Sequence, residues 1–319
     1  MRVNRRFFNA PLCDEVALSL QAKAHLETCS SPPTSSQIRE LSRAGSSDLA
    51  ARVLYEGLLA SHHGDFVRYL DGLPDDQPVT QAEPVRLLIV PGMFYREHPE
   101  VGADGGLALE IARRFGFDAE IVALKSTGSV SQNSEILTER LEREQGAALW
   151  LLSLSKGTSD VRYCLQTHGH YSGVRGWVSV AGTPKGSPLA ARKTTSAARR
   201  LFYRTLCKVT GVEYAALEEM APNHPFWHVD DWPSALEIIH VLPIPLACHI
   251  QGILRSRHSR LLQYGPNDGF VPVTDVLELP GYIYPVWGSD HFMRIPQLSH
   301  LLYRLYNHIA QQTIKEREL

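Results

Sequence analysis

The segment that most constrains the fold covers residues 149–158, Leu-Trp-Leu-Leu-Ser-Leu-Ser-Lys-Gly-Thr. An apolar run of strand length meets a turn of the form Ser-x-Ser-x-Gly, and a helix-compatible segment from Lys156 to about Thr167 follows at once. A short apolar run bounded by a turn is typical of a buried strand. The order of strand, sharp turn and helix predicts that Ser155 is presented at the tip of the turn.

Ser155 has the position that a nucleophilic serine needs. A serine hydroxyl is a poor nucleophile in water, so a base has to reach its proton and a backbone N–H has to face the developing oxyanion. In a G-x-S-x-G turn, small residues on both sides of the serine let the strand and helix backbones approach closely. Gly157 keeps this rule and Ser153 replaces the other glycine. The segment also fits a buried strand that ends in an ordinary helix start, with Ser155 as the N-cap.

Composition limits the possible classes of protein. A chain of 319 residues with 44% hydrophobic residues can form one large domain with insertions, or two small ones. The net charge of -2 argues against a nucleic-acid-binding protein. The apolar runs 87–90 and 149–154 are far shorter than the roughly 20 residues of a membrane-spanning helix, so we predict no integral membrane segment.

The N-terminus and the cysteines indicate a cytoplasmic protein. Residues 1–8 are basic, as at the start of a signal peptide, but Pro11, Asp14 and Glu15 interrupt the apolar segment that should follow. The number of cysteines is odd and none forms a C-x-x-C pair, so we expect reduced thiols. These cysteines are Cys13, Cys29, Cys164, Cys207 and Cys248.

The pattern of apolar residues changes near Val85. Residues 1–83 read as a helical N-terminal extension, with a linker at 30–36 and an amphipathic helix from Ser47 to Leu59. From Val85 short apolar strands alternate with helices, which predicts an α/β fold with a mostly parallel sheet and helices on both faces. We divide this part into a first core segment (84–183), an inserted lid (184–242) and a second core segment (243–319). Within the last segment, we predict strands at 244–250, 260–264 and 282–287.

The insertion lacks strand character, and we expect it to lie over the carboxyl edge of the sheet. Some of its apolar residues form a stripe along one helix. Its basic residues are interpreted as the solvated face of that helix or, alternatively, as a lid that attracts anions or a membrane surface. The stripe consists of Leu201, Phe202, Leu206 and Val209. The basic residues are Arg192, Lys193, Arg199, Arg200, Arg204 and Lys208.

Three residues at expected strand ends form the candidate catalytic group: Ser155, Asp268 and His291. Ligands of open parallel sheets bind at the carboxyl ends of the strands. His291 would take the Ser155 proton and return it to the leaving group, because imidazole titrates near neutral pH. Asp268 would fix the imidazole tautomer and stabilise the imidazolium.

The oxyanion formed during such a reaction needs two backbone donors. We assign one to the N–H of Lys156, the residue after the candidate nucleophile, and the other to the loop after the first core strand. There Gly92 lets the backbone approach, and either Met93 or Phe94 donates. We interpret the Lys156 side chain as that of a solvated helix residue.

Other titratable residues fit structural roles better. Asp290 adjoins His291 and is expected to cap its loop, Asp160 lies away from the strand ends, and Asp275 is expected at a helix start. His249 is expected in the core of a strand, and the pair His62-His63 at the surface. The pair His168-x-His170 is only weakly suggestive of a metal site, because no third ligand has suitable spacing. We predict no metal and no cofactor.

The order Ser155, Asp268, His291 and the motifs around these residues resemble the α/β-hydrolase superfamily, most of all its lipase-like branch. The motifs are the elbow at Ser155, the acid loop Asn-Asp-Gly-Phe-Val-Pro at 267–272 and the Asp-His-Phe sequence at 290–292. The resemblance covers residues from about 85 to the C-terminus, without the insertion. Ser153 and Lys156 depart from the usual elbow.

The resemblance implies a serine hydrolase that acts on a small-molecule ester or acyl substrate through an acyl-enzyme. The aromatic residues Phe226, Trp227 and Trp232 of the insertion are predicted to bind a hydrophobic acyl or aryl group. Alternatives are an acyltransferase or thioesterase that uses the same three residues, and a non-catalytic binding protein with this fold. The sequence leaves the oligomeric state open.

Overall fold

The fold is built on one six-stranded, wholly parallel sheet, with strand order β2-β1-β3-β4-β5-β6. This computed structural model describes residues 14–28, 31–78, 85–144, 148–167, 173–229, 231–232 and 236–315. The strands are β1 (Arg86–Val90), β2 (Asp118–Ile121), β3 (Leu149–Leu154), β4 (Val174–Val180), β5 (Glu237–Ile244) and β6 (Tyr282–Trp287). The sheet and its helices confirm the predicted α/β class.

Helices cover both faces of this sheet. After β1 come α5 (Gly106–Arg114), α6 (Val130–Glu142), α7 (Gly157–Thr167) and finally α12 (Leu298–Lys315). Helices α5 and α12 pack on one face, with Trp150 and Leu152 of β3, and helices α6 and α7 pack on the other face, with Leu149 and Leu151. Successive residues of β3 therefore enter opposite cores, which is why a parallel strand has a continuous apolar sequence.

In the described residues before the sheet there are four helices: α1 (Glu15–Leu26), α2 (Ser35–Ala44), α3 (Ser47–Leu59) and α4 (His62–Asp71). The predicted helix at 47–59 is confirmed, whereas α4 was not predicted and α2 begins inside the predicted linker. Thr34 starts α2 with a capping box that also uses Gln37. Residues of these helices form a common core with β5 and β6. The extension is thus part of the packed structure.

The predicted surface position of His63 is wrong. Its side chain is buried, and its Nδ1 accepts a hydrogen bond from the Ile283 N–H of β6 at 3.2 Å. Burial lowers the pKa of His63 to about 4, so that the ring is neutral and can accept this bond.

Two strands predicted in the second core segment are also wrong. The strand expected at 244–250 lies earlier, because β5 ends at Ile244 and the next residue, Pro245, has no N–H for the ladder. Residues 260–264 lie at the end of helix α11 (Leu254–Leu261) and in the 3₁₀ turn that follows. Leu254, His258 and Leu261 are buried with the spacing of a helix, and a pair of adjacent leucines there resembled a strand.

The described residues of the insertion form three α-helices, α8 (Pro188–Thr194), α9 (Ala197–Thr210) and α10 (Tyr214–Glu219), and a 3₁₀ helix at Pro225–His228. Residues 237–242, which we assigned to the insertion, lie in β5. The apolar stripe on α9 does not pack inside the protein, because Leu201, Phe202 and Val209 are 70%, 62% and 79% exposed. Only Cys207 of this helix is buried.

Within the described residues, no helix is both long and apolar enough to cross a bilayer. Of the described cysteines, Cys164 and Cys207 are buried and Cys248 is half-buried. No cluster of three or more histidine, cysteine or carboxylate side chains suited to a metal occurs in the same part of the chain. Cys13, Cys29 and the pair His168-x-His170 lie outside the described residues.

Candidate active site

Ser155 lies on a sharp turn between β3 and α7, with a φ of 49°. This is the left-handed region, which residues other than glycine rarely adopt. The turn is closed by the close approach of Gly157 to the end of β1, where an added Cβ would lie 2.6 Å from the carbonyl oxygens of Val90 and Pro91. Only glycine fits there, so the backbone of the turn is forced to present the Ser155 hydroxyl.

Ser153, which stands where the elbow motif has its first glycine, is fully buried. Its hydroxyl lies 2.9 Å from the Thr158 hydroxyl and accepts a hydrogen bond from the indole N–H of Trp177 at 2.8 Å. Thr158 in turn lies 2.9 Å from the Ser179 hydroxyl. The polar side chain is accommodated because this small network satisfies it.

The structure brings the three candidate catalytic residues together. The Ser155 Oγ lies 2.8 Å from His291 Nε2, and His291 Nδ1 lies 2.7 Å from Asp268 Oδ2. Asp268 and His291 are buried, whereas Ser155 is half-buried. The two loops are also joined through their backbones, since the His291 N–H donates to the Asp268 carbonyl at 3.1 Å.

The partners of Asp268 define the protonation of the imidazole. Its Oδ1 accepts the backbone N–H groups of Phe270 and Val271, at 2.8 and 2.9 Å, so its Oδ2 is left for His291. A carboxylate oxygen accepts, and therefore His291 Nδ1 carries a proton and donates it to Asp268. In the neutral ring Nε2 is then an acceptor, positioned to receive the Ser155 hydroxyl proton.

Two backbone N–H groups next to Ser155 are free to donate. The Phe94 N–H donates to the Ser126 carbonyl at 2.9 Å, which removes Phe94 from the two alternatives for the oxyanion hole. The N–H groups of Met93 and Lys156 have no hydrogen-bond partner among the described residues. Gly92 lies against the elbow, since a Cβ added to Gly92 would lie 3.3 Å from the Ser155 Cβ. These contacts favour Met93 and Lys156 as the donors.

The Lys156 side chain is not solvated, contrary to our prediction. It is buried, and its Nζ lies 2.6 Å from Asp160 Oδ1, one turn further along α7. The other oxygen of Asp160 accepts from the Asn133 amide at 3.1 Å. The residue whose N–H is the candidate oxyanion donor is therefore anchored by its own side chain.

Ser155 and His291 open into a cavity of about 510 Å³. It lies on the face of the sheet covered by α5 and α12, and its walls are mainly apolar. Among the side chains that form it are Leu107, Leu154, Phe270, Phe292, Leu298 and Leu302. A cavity of this size with few polar groups is typical of a site for a small hydrophobic molecule.

The aromatic residues predicted to bind the substrate lie elsewhere. Trp227 is buried with Val130 of α6 and Ala190 of α8, Phe226 stacks on Tyr163 of α7 at 3.9 Å, and Trp232 stacks on Trp177 at 6.1 Å. These partners belong to the α6 and α7 face of the sheet, opposite the cavity. None of the described residues between 184 and 242 lines the cavity, so the lid stays a prediction.

The alternative titratable residues have structural partners. Asp290 accepts the Phe292 N–H at 3.0 Å, as expected for a loop cap. Asp275 lies within a 3₁₀ helix and pairs with Arg39 of α2 at 3.1 Å. His249 lies in a turn after β5, not in a strand, and its Nδ1 accepts the Leu246 N–H.

Two wall residues that the sequence analysis missed stand beside the candidate catalytic groups. Phe270 follows Asp268 by two positions, and Phe292 follows His291 directly. The Phe270 ring lies 4.5 Å from the His291 ring. Their place within the two loops was a usable signal, because loops that position catalytic groups also border the substrate.

Comparison with solved structures supports the fold. A metagenomic carboxyl esterase superposes with a TM-score of 0.56 and 19% identity, over 77% of this chain and 80% of the esterase. The mature Bacillus licheniformis lipase BlEst2 superposes with a TM-score of 0.50 and 19% identity, over 75% of this chain and 96% of the lipase. The chain therefore has the α/β-hydrolase fold. No family model matches the sequence, and no curated protein matches it.

Proposed function

We propose that this protein is a serine hydrolase that cleaves a carboxylic ester with a hydrophobic acyl or aryl group, through an acyl-enzyme formed on Ser155. The observation that carries the proposal is the hydrogen-bonded relay from Ser155 through His291 to Asp268, at 2.8 and 2.7 Å, in the wall of an apolar cavity. The two solved structures of similar fold, a carboxyl esterase and a lipase by name, agree with this reaction class.

In the first step the Ser155 Oγ attacks the ester carbonyl while its proton moves to His291 Nε2. The imidazolium that forms is stabilised by Asp268, whose Oδ2 already accepts the Nδ1 proton. The negative charge on the former carbonyl oxygen is stabilised by the N–H groups of Met93 and Lys156. His291 then gives its proton to the leaving alcohol, and the acyl-enzyme remains.

In the second step a water molecule attacks the acyl-enzyme. His291 accepts the proton of this water and returns it to Ser155, so that the acid is released and the resting state is restored. The elbow supports both steps because the strained backbone at Ser155 holds the hydroxyl at a fixed distance from the imidazole.

The walls of the cavity indicate the substrate. The leucine and phenylalanine side chains that surround Ser155 offer an ester chain a surface to be buried against. Burial contributes about 0.8 kcal/mol for each methylene group, so we expect kcat/KM to rise with acyl length until the cavity is filled.

The test is covalent labelling with a fluorophosphonate combined with turnover of p-nitrophenyl esters. We expect the adduct to map to Ser155, and Ser155→Ala to lose both the adduct and turnover. Ser153→Ala is the matched control, because Ser153 belongs to the same motif but is buried, and it should keep the adduct. An adduct on another residue, or unchanged turnover in Ser155→Ala, would refute the proposal. Labelling at Ser155 without ester turnover would instead favour acyl transfer to an acceptor other than water.

A further inference from the structure

Arg257 of α11 forms part of the wall of the cavity that contains Ser155. Its guanidinium lies 4.3 Å from the centre of the Phe270 ring, and that ring lies 4.5 Å from the ring of His291. One aromatic ring therefore separates a permanent positive charge from the imidazole of the proposed catalytic group. Because Arg257 and Ser155 line the same cavity, a group bound by Arg257 and an ester at Ser155 would be two parts of one substrate molecule.

The charge of Arg257 is not neutralised by the protein. The guanidinium has five N–H donors, and within the described residues it contacts the Phe270 ring but makes no hydrogen bond and no ion pair. The described residues that line the cavity include two arginines and no aspartate or glutamate. A half-buried arginine normally has an acidic or carbonyl partner, because desolvation of the cation is costly.

Two other cations, Arg260 and Lys193, are close enough to interact with the charge of Arg257. Burial, and then the charge of Arg260, lower the pKa of Arg257 below its ordinary value. On α8, burial and the charge of Arg257 likewise lower the pKa of Lys193. Arg260 and Lys193 thus add positive charge near Arg257, and Asp268, the carboxylate closest along the chain to Phe270, is already hydrogen-bonded to His291 and to the backbone. An incoming anion would relieve the repulsion between these cations.

The second arginine of the cavity, Arg294, differs in this respect. Its side chain is exposed, and it is close enough to the carboxyls of Asp290 and Glu100 to favour their charged forms. Part of its charge is therefore balanced within the protein. Arg257 is the better candidate for contact with a substrate.

We propose that the ester hydrolysed at Ser155 carries a carboxylate or phosphate group, and that Arg257 binds this group at the cavity wall. The inference rests on the proposed esterase function and adds the substrate class to it. The planar guanidinium presents its donors as a fork that matches two oxygens of a carboxylate or a phosphate. The anionic group does not take part in the reaction, and it orients the apolar chain so that the ester reaches Ser155.

Matched substrates separate this role from a structural one. We would compare mono-p-nitrophenyl suberate, its neutral methyl ester and the corresponding ester that ends in a phosphate. The wild-type protein should prefer the charged esters. In Arg257→Gln, kcat/KM for the charged esters should fall by about 10- to 100-fold more than kcat/KM for the neutral ester, a difference in the range of a charge-assisted hydrogen bond. The charged ester whose kcat/KM falls more in Arg257→Gln carries the preferred anion, a carboxylate or a phosphate.

Arg260→Gln is the matched control, because Arg260 lies on the same helix and is exposed, and it is not among the residues that line the cavity. It should leave the preference for charged esters unchanged, and Arg257→Lys should retain part of that preference. Equal losses for charged and neutral esters in Arg257→Gln would overturn the proposal, and so would a wild-type protein that does not prefer charged esters.

A binding measurement tests Arg257 without catalysis. Octyl phosphate should bind to Ser155→Ala more tightly than octanol, and the difference should disappear in the double variant Ser155→Ala/Arg257→Gln, as measured by calorimetry. Equal binding of the two ligands to Ser155→Ala would refute the anion site. If the phosphate binds through Arg257 but no ester is turned over, the proposed hydrolase function fails while the anion site stands.

Discussion

The Lys156 ammonium lies 2.6 Å from an oxygen of Asp160, and both side chains are buried directly behind Ser155. Asp160 is in turn held by the Asn133 amide of α6 at 3.1 Å. Burial raises the pKa of Asp160, and the Lys156 ammonium opposes this change. The pair links the residue that supplies one proposed oxyanion donor to the first turn of α7 and to α6.

Asp160→Ala should destabilise the protein strongly. It leaves the Lys156 charge buried without its partner, for which a loss of about 3–5 kcal/mol in the free energy of unfolding is typical. The double variant Lys156→Met/Asp160→Leu removes both charges and should recover most of this loss, because an apolar pair of similar size fills the same space. Urea unfolding followed by circular dichroism measures both effects.

The control for this pair is Glu139→Ala, which breaks an exposed pair of the same spacing between Glu139 of α6 and Arg143, the C-cap of that helix. An exposed pair contributes well under about 1 kcal/mol, so this variant should unfold almost like the wild type. If Asp160→Ala and Glu139→Ala had equal effects, burial would not be the reason for the stability of the Lys156 pair.

Asp268→Asn should lower kcat by about 10³- to 10⁴-fold and change KM little. The amide can still accept the Phe270 and Val271 N–H groups through its oxygen, so that the loop is preserved. Its NH₂ group would then face His291 Nδ1, which would have to become an acceptor, and Nε2 would carry the proton and could no longer accept one from Ser155. Steady-state kinetics with a p-nitrophenyl ester gives both constants.

Asp290→Asn is the matched control, because Asp290 precedes His291 directly and only caps the loop at Phe292. It should keep kcat within a few fold. A large loss of kcat in Asp290→Asn, with activity preserved in Asp268→Asn, would show that the wrong carboxylate had been assigned to the imidazole.

The core of the sheet could be predicted from the sequence because its signals are local. Alternate residues of the run 149–154 pack into the cores on the two faces of the sheet. The length and apolarity of this run alone indicate a buried parallel strand. The order of Ser155, Asp268 and His291 along the chain was also a local signal. Ser155 directly follows β3 and His291 lies in the loop after β6, whereas Asp268 lies in a loop after α11 and a 3₁₀ turn instead of at the expected strand end. Patterns of this kind do not depend on distant contacts.

The interpretations that failed depended on distant contacts. The Lys156 side chain was expected in solvent because its burial depends on α6, whose Asn133 contacts Asp160. The pairing of Lys156 with Asp160 itself is an i,i+4 spacing that the sequence does show. Trp227 and Phe226 are aromatic, and from sequence alone they are expected to bind the substrate, because the sequence of the insertion does not show which helices it packs against. Their partners, on α6, α7 and α8, decide that they face away from the cavity.

Gly157→Ala should abolish activity and destabilise the protein. The new methyl group would lie 2.6 Å from two carbonyl oxygens at the end of β1, and backbone atoms cannot move aside as a flexible side chain can. The elbow would have to open, which moves Ser155 away from His291. Gly72→Ala at the end of α4 is the control, since its methyl group would meet no atom closer than 3.4 Å. Equal activity in the two variants would show that the close approach at Gly157 is not required.

The last prediction concerns His240 of β5, which is buried and whose Nε2 donates to the Pro280 carbonyl at 3.1 Å. Burial lowers the pKa of His240 to about 4 from its ordinary value of 6.5. The unfolded chain therefore binds a proton more readily than the folded protein, and the stability that the neutral ring provides above pH 6.5 is lost as the pH falls towards 4. The loss in the free energy of unfolding is on the order of 3 kcal/mol when the full pKa shift is counted.

His240→Phe keeps an aromatic ring at this position and removes the titrating group, so the free energy of unfolding of the variant should fall less steeply than that of the wild type between pH 6.5 and 4. Urea unfolding at several pH values measures the two slopes, and parallel curves would show that His240 does not contribute to the acid sensitivity.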